Sequence, residues 1–219
     1  MPTLPGMPIM RACTDATPLR IAVSFGAFSP RLATLLALQR AEEPHTPVLL
    51  HEVELTEQLD GLTYGRYDGG LALTDAPGSA LRAQALWHDE LAVAIPTQSP
   101  LHRFEAVPLE EAVRYPLISW QAPVCEPLSG LIDSLLRTQR SHRPCILVQS
   151  YEVMVVMILA GYGVGIGLQS RLAGLRVPHI ASRPLAGSQS NLTTYLLQPS
   201  SGATPAHDRF ARRARDLCE

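Results

Sequence analysis

Residues 150–168, SYEVMVVMILAGYGVGIGL, contain the sharpest change of hydrophobic period in the chain. Ser150 is expected to cap a helix over 151–160. Val153, Val156, Met157 and Ala160 recur at helical spacing, while Met154, Val155, Ile158 and Leu159 fill the other faces, which predicts a helix that is nearly fully buried. Gly161 and Gly163 end it with a left-handed turn. From Val164 the period becomes two: Val164, Ile166 and Leu168 alternate with Gly165 and Gly167, giving a strand with one branched face and one bare face. A bare face admits close approach, either of a packed helix, which is its commoner use, or of a bound ligand. The spacing GYGVGIG does not fit G-x-G-x-x-G and follows a helix instead of opening one, so it is not a dinucleotide fingerprint.

Working outward, residues 19–24 (LRIAVS) read as a strand that turns through Phe25-Gly26 into a helix reaching about Arg40, with Leu32, Leu35, Leu36 and Gln39 at helical spacing. Pro30 fits only in a first helical turn, so the helix must begin close before it. That leaves free N–H groups near residues 24–27. A strand over 47–53, a short helix over 56–64 and a strand over 69–74 follow, and such alternation predicts a mainly parallel sheet covered by helices. Residues 86–95 read as one strand, 116–120 as a buried strand and 129–138 as a helix with Leu131, Ile132, Leu135 and Leu136 on one side. Beyond the opening stretch, strands are expected at 177–180 and 192–198 and a helix at 206–217. Residues 1–17, rich in proline, read as a flexible leader.

The 219 residues are 46% hydrophobic and carry a net charge of −2. They hold one large domain or two lobes and offer no basic footprint for duplex DNA. All eighteen basic residues are arginine. With no lysine, Schiff-base chemistry, a pyridoxal phosphate anchor and a Walker-type loop are excluded. Cys13, Cys125, Cys145 and Cys218 form neither a C-x-x-C pair nor a metal-ligand spacing and read as reduced thiols. With no signal peptide or membrane-length apolar run in these residues, a cytoplasmic location is expected.

The candidate chemical groups have plainer structural readings. His51, His88, His102, His142 and His179 lie in different elements, and His88-Asp89-Glu90 reads as a solvated strand entrance. Cys125 lacks a basic partner. Ser24 in VSFG lacks the first glycine of G-x-S-x-G and suits a polar ligand contact better. Arg212, Arg213 and Arg215 read as a solvated helix face. No catalytic set, metal site or cofactor is expected.

The order of elements resembles the effector-binding domain of LysR-type transcriptional regulators over residues 19–199. The resemblance is carried by LRIAVS, the helix ending in Pro44, the string Leu59, Leu62, Gly65-Arg66, Asp68 and Leu71-Ala72-Leu73, then Ser99-Pro100-Leu101 and Leu159-Ala160-Gly161-x-Gly163-Val164. It implies a two-lobed α/β fold like that of periplasmic binding proteins, each lobe a mainly parallel sheet flanked by helices. Lobe I would span 18–95 plus 176–219 and lobe II 96–175, with hinge crossings near Ile95-Pro96 and 172–177. A small-molecule effector would lie between the lobes. By position its cleft would be lined by Ser24, Phe25, Gly26, Ala27, Leu55, Leu73 and Thr74, and from lobe II by Trp120, Gln121, Pro127, Leu128, Gln149, Gly165 and Gly167. The resemblance also implies a homodimer in which the helix over 32–40 meets lobe II of the partner near 129–138. DNA would be reached only through a helix-turn-helix absent from these residues; a transport-type solute-binding protein or an enzyme on the same fold are the alternatives.

Gly26, Ala27 and Leu55 stand where carboxylate-binding relatives often place Ser or Thr, and Gln169 where proline is common. With no arginine among the expected lining, the ligand is predicted to be apolar or aromatic with one polar head. A Gly165→Val change is then expected to block the ligand and spare the fold.

Overall fold

Strand pairing divides the chain into two mixed sheets, and the division falls elsewhere than the apolar runs suggest. The computed structural model describes residues 17–121, 126–139, 145–174, 177–187, 192–201 and 204–217. Residues 1–16, Cys125 and His142 lie outside them. The chain opens with β1 (Leu19–Ser24), α1 (Pro30–Glu42), β2 (Val48–Val53), α2 (Leu55–Thr63), β3 (Gly69–Ala72) and β4 (Leu81–Asp89). Next come β5 (Leu91–Pro96), a 3-10 turn at Pro100–Arg103, β6 (Val107–Pro108), α3 (Leu109–Ala112), β7 (Leu117–Trp120), α4 (Leu128–Arg137) and β8 (Cys145–Val148). The remainder is α5 (Tyr151–Leu159), β9 (Val164–Leu168), α6 (Gln169–Gly174), β10 (Ile180–Ala186), β11 (Leu192–Pro199) and α7 (Pro205–Asp216).

The first sheet has the order β2-β1-β3-β11-β4 and the second β6-β10-β5-β9-β7-β8. The two-lobed α/β fold therefore exists, but the crossings move. Residues 86–95 are two strands broken at Glu90: β4 pairs with β11 in the first sheet, whereas Leu91 pairs with Leu168 and Ala94 with Gly165 in the second. Residues Ile180 to Pro184 pair with β5 as well. The crossings thus lie between Asp89 and Leu91 and between Ala186 and Leu192, not at 95–96 and 172–177. The physical reason is burial on both faces: Leu91, Ala92, Val93, Ala94 and Ile95 are each at most 2% exposed, as an interior strand of the second sheet requires.

Local sequence explains how each lobe closes. Gln58 on α2 is fully buried and donates its amide to the carbonyls of Ala22 (2.9 Å) and Leu71 (3.0 Å), which fastens the helix across two strands. On α7, Arg213 is only 6% exposed and reaches Glu42 (2.6 Å), Glu43 (2.6 Å) and Gln39 (2.8 Å) on α1. The solvated face expected of the three C-terminal arginines holds only for Arg212 and Arg215.

In the second lobe, Ser150 caps α5 by accepting from the Val153 N–H, but the helix is not nearly fully buried. Tyr151, Met154 and Ile158 face the sheet; Val153, Val156 and Leu159 are 48%, 62% and 47% exposed. The buried side seats on the glycines of β9. A Cβ at Gly165 would lie 2.7 Å from Met154 Sδ and 3.0 Å from Ile158 Cδ1, and one at Gly167 3.2 Å from the Tyr151 hydroxyl. The bare strand face is therefore the bed of α5, and Gly165 and Gly167 are not cleft residues.

Candidate functional site

The C-terminal ends of β1 and β2 face those of β7, β8 and β9, and ligands of open α/β sheets characteristically bind beyond such ends. A small cleft of about 70 Å³ lies there between the lobes. The first lobe contributes Phe25, Gly26 and Glu52; the second contributes Trp120, Gln149, Ser150, Tyr151, Glu152 and Arg171. Gly26 is held at φ +90°, a conformation that favours glycine, in the tight turn after β1. The Trp120 indole N–H donates to the carbonyl of Ile166 (3.1 Å), and the Trp120 ring packs on Tyr151 with centroids 4.3 Å apart at 49°. This fixes an aromatic wall, because the indole has spent its one donor. Gln149 donates to Gln121 (2.8 Å), which stands beside the wall.

The structure brings Phe25, Gly26, Trp120 and Gln149 together among the residues expected from the sequence, with Gln121 adjacent through Gln149. The others lie outside the lining. Ser24 is 1% exposed and donates its hydroxyl to the carbonyl of Leu71 (3.4 Å) within the sheet. Ala27 is buried with Leu32 and Leu35 in the first lobe's core, and its N–H is taken by the carbonyl of Ser24. Since α1 begins at Pro30, the N–H groups of 26–28 belong to the turn and not to a helix N-terminus. Leu55 packs with Leu62 and Leu197; Leu73 and Leu128 join the core of the second lobe. Thr74 accepts from the Ala76 N–H, and Pro127 precedes α4.

Arg171 corrects the expectation of a lining without arginine. It lies on α6, directly after the bare strand. Its guanidinium carbon is 3.6 Å from the Tyr151 ring centroid and 5.5 Å from that of Phe28. Asp89 fixes the helix that carries it. This residue, 9% exposed and so not part of a solvated strand entrance, accepts from the Ser170 N–H (3.1 Å) and the Ser170 hydroxyl, while Gln169 N–H reaches the Glu90 carbonyl (2.7 Å). Glu52, Tyr151 and Arg171 lie at or just beyond the C-terminal ends of β2, β8 and β9, a position that for Glu52 and Tyr151 could have been read from the sequence. Among the described residues no group of three or more His, Cys, Asp or Glu could hold a metal ion. No helix among them is long and apolar enough to cross a membrane.

A model of the LysR substrate binding domain matches residues 14–219. An uncharacterized HTH-type transcriptional regulator, YnfL of Escherichia coli (strain K12), is 27% identical over 157 residues, which is 70% of this chain and 52% of that protein. The chain thus spans about half the length of the curated relative it matches. Two solved structures share the fold at low identity. The effector binding domain of BenM with its effector benzoate superposes with a TM-score of 0.81 at 16% identity, covering 91% of each chain. Full-length CbnR complexed with its target DNA superposes with a TM-score of 0.79 at 17% identity, covering 92% of this chain and 68% of that one.

Proposed function

From the premise that this chain belongs to the LysR substrate-binding domain family, we propose that its interlobe cleft holds a small-molecule effector and that ligand-dependent lobe or dimer rearrangement passes the signal to a LysR-type transcriptional regulator. DNA is contacted by another part of that regulator, and the domain works in the cytoplasm without turning its ligand over. The observation that carries the reading is a cleft lined from both lobes, whose floor is the largely buried wall of Trp120 on Tyr151, opposite Phe25 and Gly26. Such a wall suits an apolar or aromatic ligand with one polar head. Native mass spectrometry of protein purified from its own host should find one such molecule per chain, chemically unchanged on incubation. A molecule whose binding leaves the hydrogen exchange of 25–26 and 149–152 unaltered would count against the cleft.

The same reading includes a homodimer. Large exposed apolar side chains cluster on the β8–α5 flank, at Leu147, Val153, Val156 and Leu159, and on β2 at Leu49 and Leu50. Both strands are sheet edges, where unpaired backbone invites a partner. By contrast α4 shows Asp133, Ser134 and Arg137 to solvent, so the partner face moves from 129–138 to the β8–α5 flank. Val156→Glu is expected to shift the protein to monomer in sedimentation velocity, because the charge would have to be buried unpaired. An unchanged sedimentation coefficient would rule that flank out.

A further inference from the structure

We infer that Arg171 is the anion anchor of this cleft, taking one planar carboxylate on its N–H edge, and that Glu52 and Glu152 make the cleft reject a second negative charge. This rests on the effector-binding reading above and adds the charge of the ligand and the residues that set it.

The geometry of Arg171 separates it from its counterparts. Four described arginines are at least partly buried: Arg20, Arg171, Arg183 and Arg213. Arg20 is paired with Asp68, Arg213 with Glu42 and Glu43, and Arg183 donates to the Ser182 carbonyl. For Arg171, no hydrogen-bond acceptor and no carboxylate within ion-pair reach occurs among the described residues. Its guanidinium is nonetheless engaged, lying over the rings of Tyr151 of the second lobe and Phe28 of the first. A cation held over aromatic rings keeps its five N–H donors available for a conventional acceptor. A positioned, half-buried guanidinium with unused in-plane donors at a cleft wall matches the fork geometry of a carboxylate.

Two further features favour a carboxylate that arrives alone. Asp89 pins α6 at Ser170, so Arg171 is held before the ligand arrives, which lowers the ordering cost of binding. Glu52 and Glu152 line the same cleft from opposite lobes, and neither is ion-paired among the described residues. A second carboxylate would meet like charge there, while a ring with one carboxylate places its apolar body on Trp120. Because the guanidinium touches aromatic rings of both lobes, an anion bound to it loads the contact that joins them.

The test follows Trp120 fluorescence and thermal stability of the intact protein with benzoate, with benzamide as its neutral analogue and with phthalate as a dicarboxylate. Benzoate should shift both signals, and benzamide and phthalate should do so at least about tenfold more weakly. Arg171→Gln should lower benzoate affinity about 10- to 100-fold, the range for losing a charge-assisted pair, with Arg171→Lys in between. The double variant Glu52→Gln with Glu152→Gln should narrow the gap between phthalate and benzoate. Benzamide binding as well as benzoate, Arg171→Gln binding benzoate like wild type, or all three probes remaining silent would overturn the anchor. In each case a neutral or cationic molecule co-purifying in the cleft leaves the effector reading standing; ligand bound elsewhere removes both.

Discussion

Gly163→Ala is expected to destabilise the second lobe severely, with the largest loss among Gly→Ala changes at the described glycines. A Cβ at Gly163 would stand 2.1 Å from the carbonyl oxygen of Pro116, and that oxygen already accepts the Val164 N–H at 3.0 Å. Backbone held in a strand ladder cannot step aside, so the loss should reach or exceed the upper end of the roughly 1–3 kcal/mol typical of overpacking. Gly165→Val should be severe as well, reversing the expectation from sequence that it spares the fold, but Met154 is unbranched and yields more readily than backbone. Urea midpoints order the two variants. A Gly163→Ala midpoint within error of wild type would mean that the approach of Pro116 is not rigid.

These glycines show where sequence reading succeeds and where it stops. The alternation of Val164, Ile166 and Leu168 fixes the strand and its branched face, because period two is a property of the chain itself. What covers the bare face is a property of another element, and both a helix and a ligand were open until Met154 and Ile158 were placed. The burial of α5 failed for the same reason. Nine apolar-rich residues say that no side repels a neighbour, not that a neighbour exists on every side. The change of sheet falls at Glu90, and three polar residues, His88 to Glu90, between two apolar runs read equally as a solvated strand entrance and as a crossing between sheets. In the cleft, Phe25, Gly26, Trp120 and Gln149 were implied by the family resemblance, through their places at strand ends. Arg171 was not, because its neighbour Gln169 drew the comparison with proline and an arginine on a short helix looks like ordinary surface.

Arg213→Met should cost about 3 kcal/mol, the lower end of the range for breaking a buried ion pair. The change strands Gln39, which is 1% exposed, without its donor and removes one of the two guanidinium groups at Glu43. Glu43 keeps Arg209 at 2.7 Å, which limits the damage. The pH dependence carries its own signature. The hydrogen bond from Arg209, opposed by burial and reinforced by Arg213, lowers the Glu43 pKa from 4.5 to about 2. A depressed carboxyl stabilises the folded state fully above its unfolded value, and that contribution is lost as pH falls from about 4.5 towards about 2. His207 adds an earlier step. It is fully buried on the inner face of α7, and burial, opposed by Asp208 and Asp68, holds its pKa below 6.5. The unfolded chain then binds the proton more readily, so stability also declines as pH drops below 6.5. Acid titration of the unfolding free energy should show both phases, and Glu43→Gln should diminish only the lower one, to which Asp68, despite burial held low by Arg20, also contributes. A lower phase that survives undiminished in Glu43→Gln would show that the α1–α7 network is not what acid dissolves.

The position of the two crossings also orders the assembly of the molecule in time. Every strand of the second sheet comes from the unbroken span 91–186, whereas the first sheet needs β11, inserted between β3 and β4, and its helical cover needs α7. On a chain emerging from its amino end, β3 and β4 leave the ribosome with no strand between them and wait for more than a hundred residues of synthesis. Segments that close only over long sequence separations fold late and expose unpaired edges meanwhile. The first-made lobe is thus the last one finished.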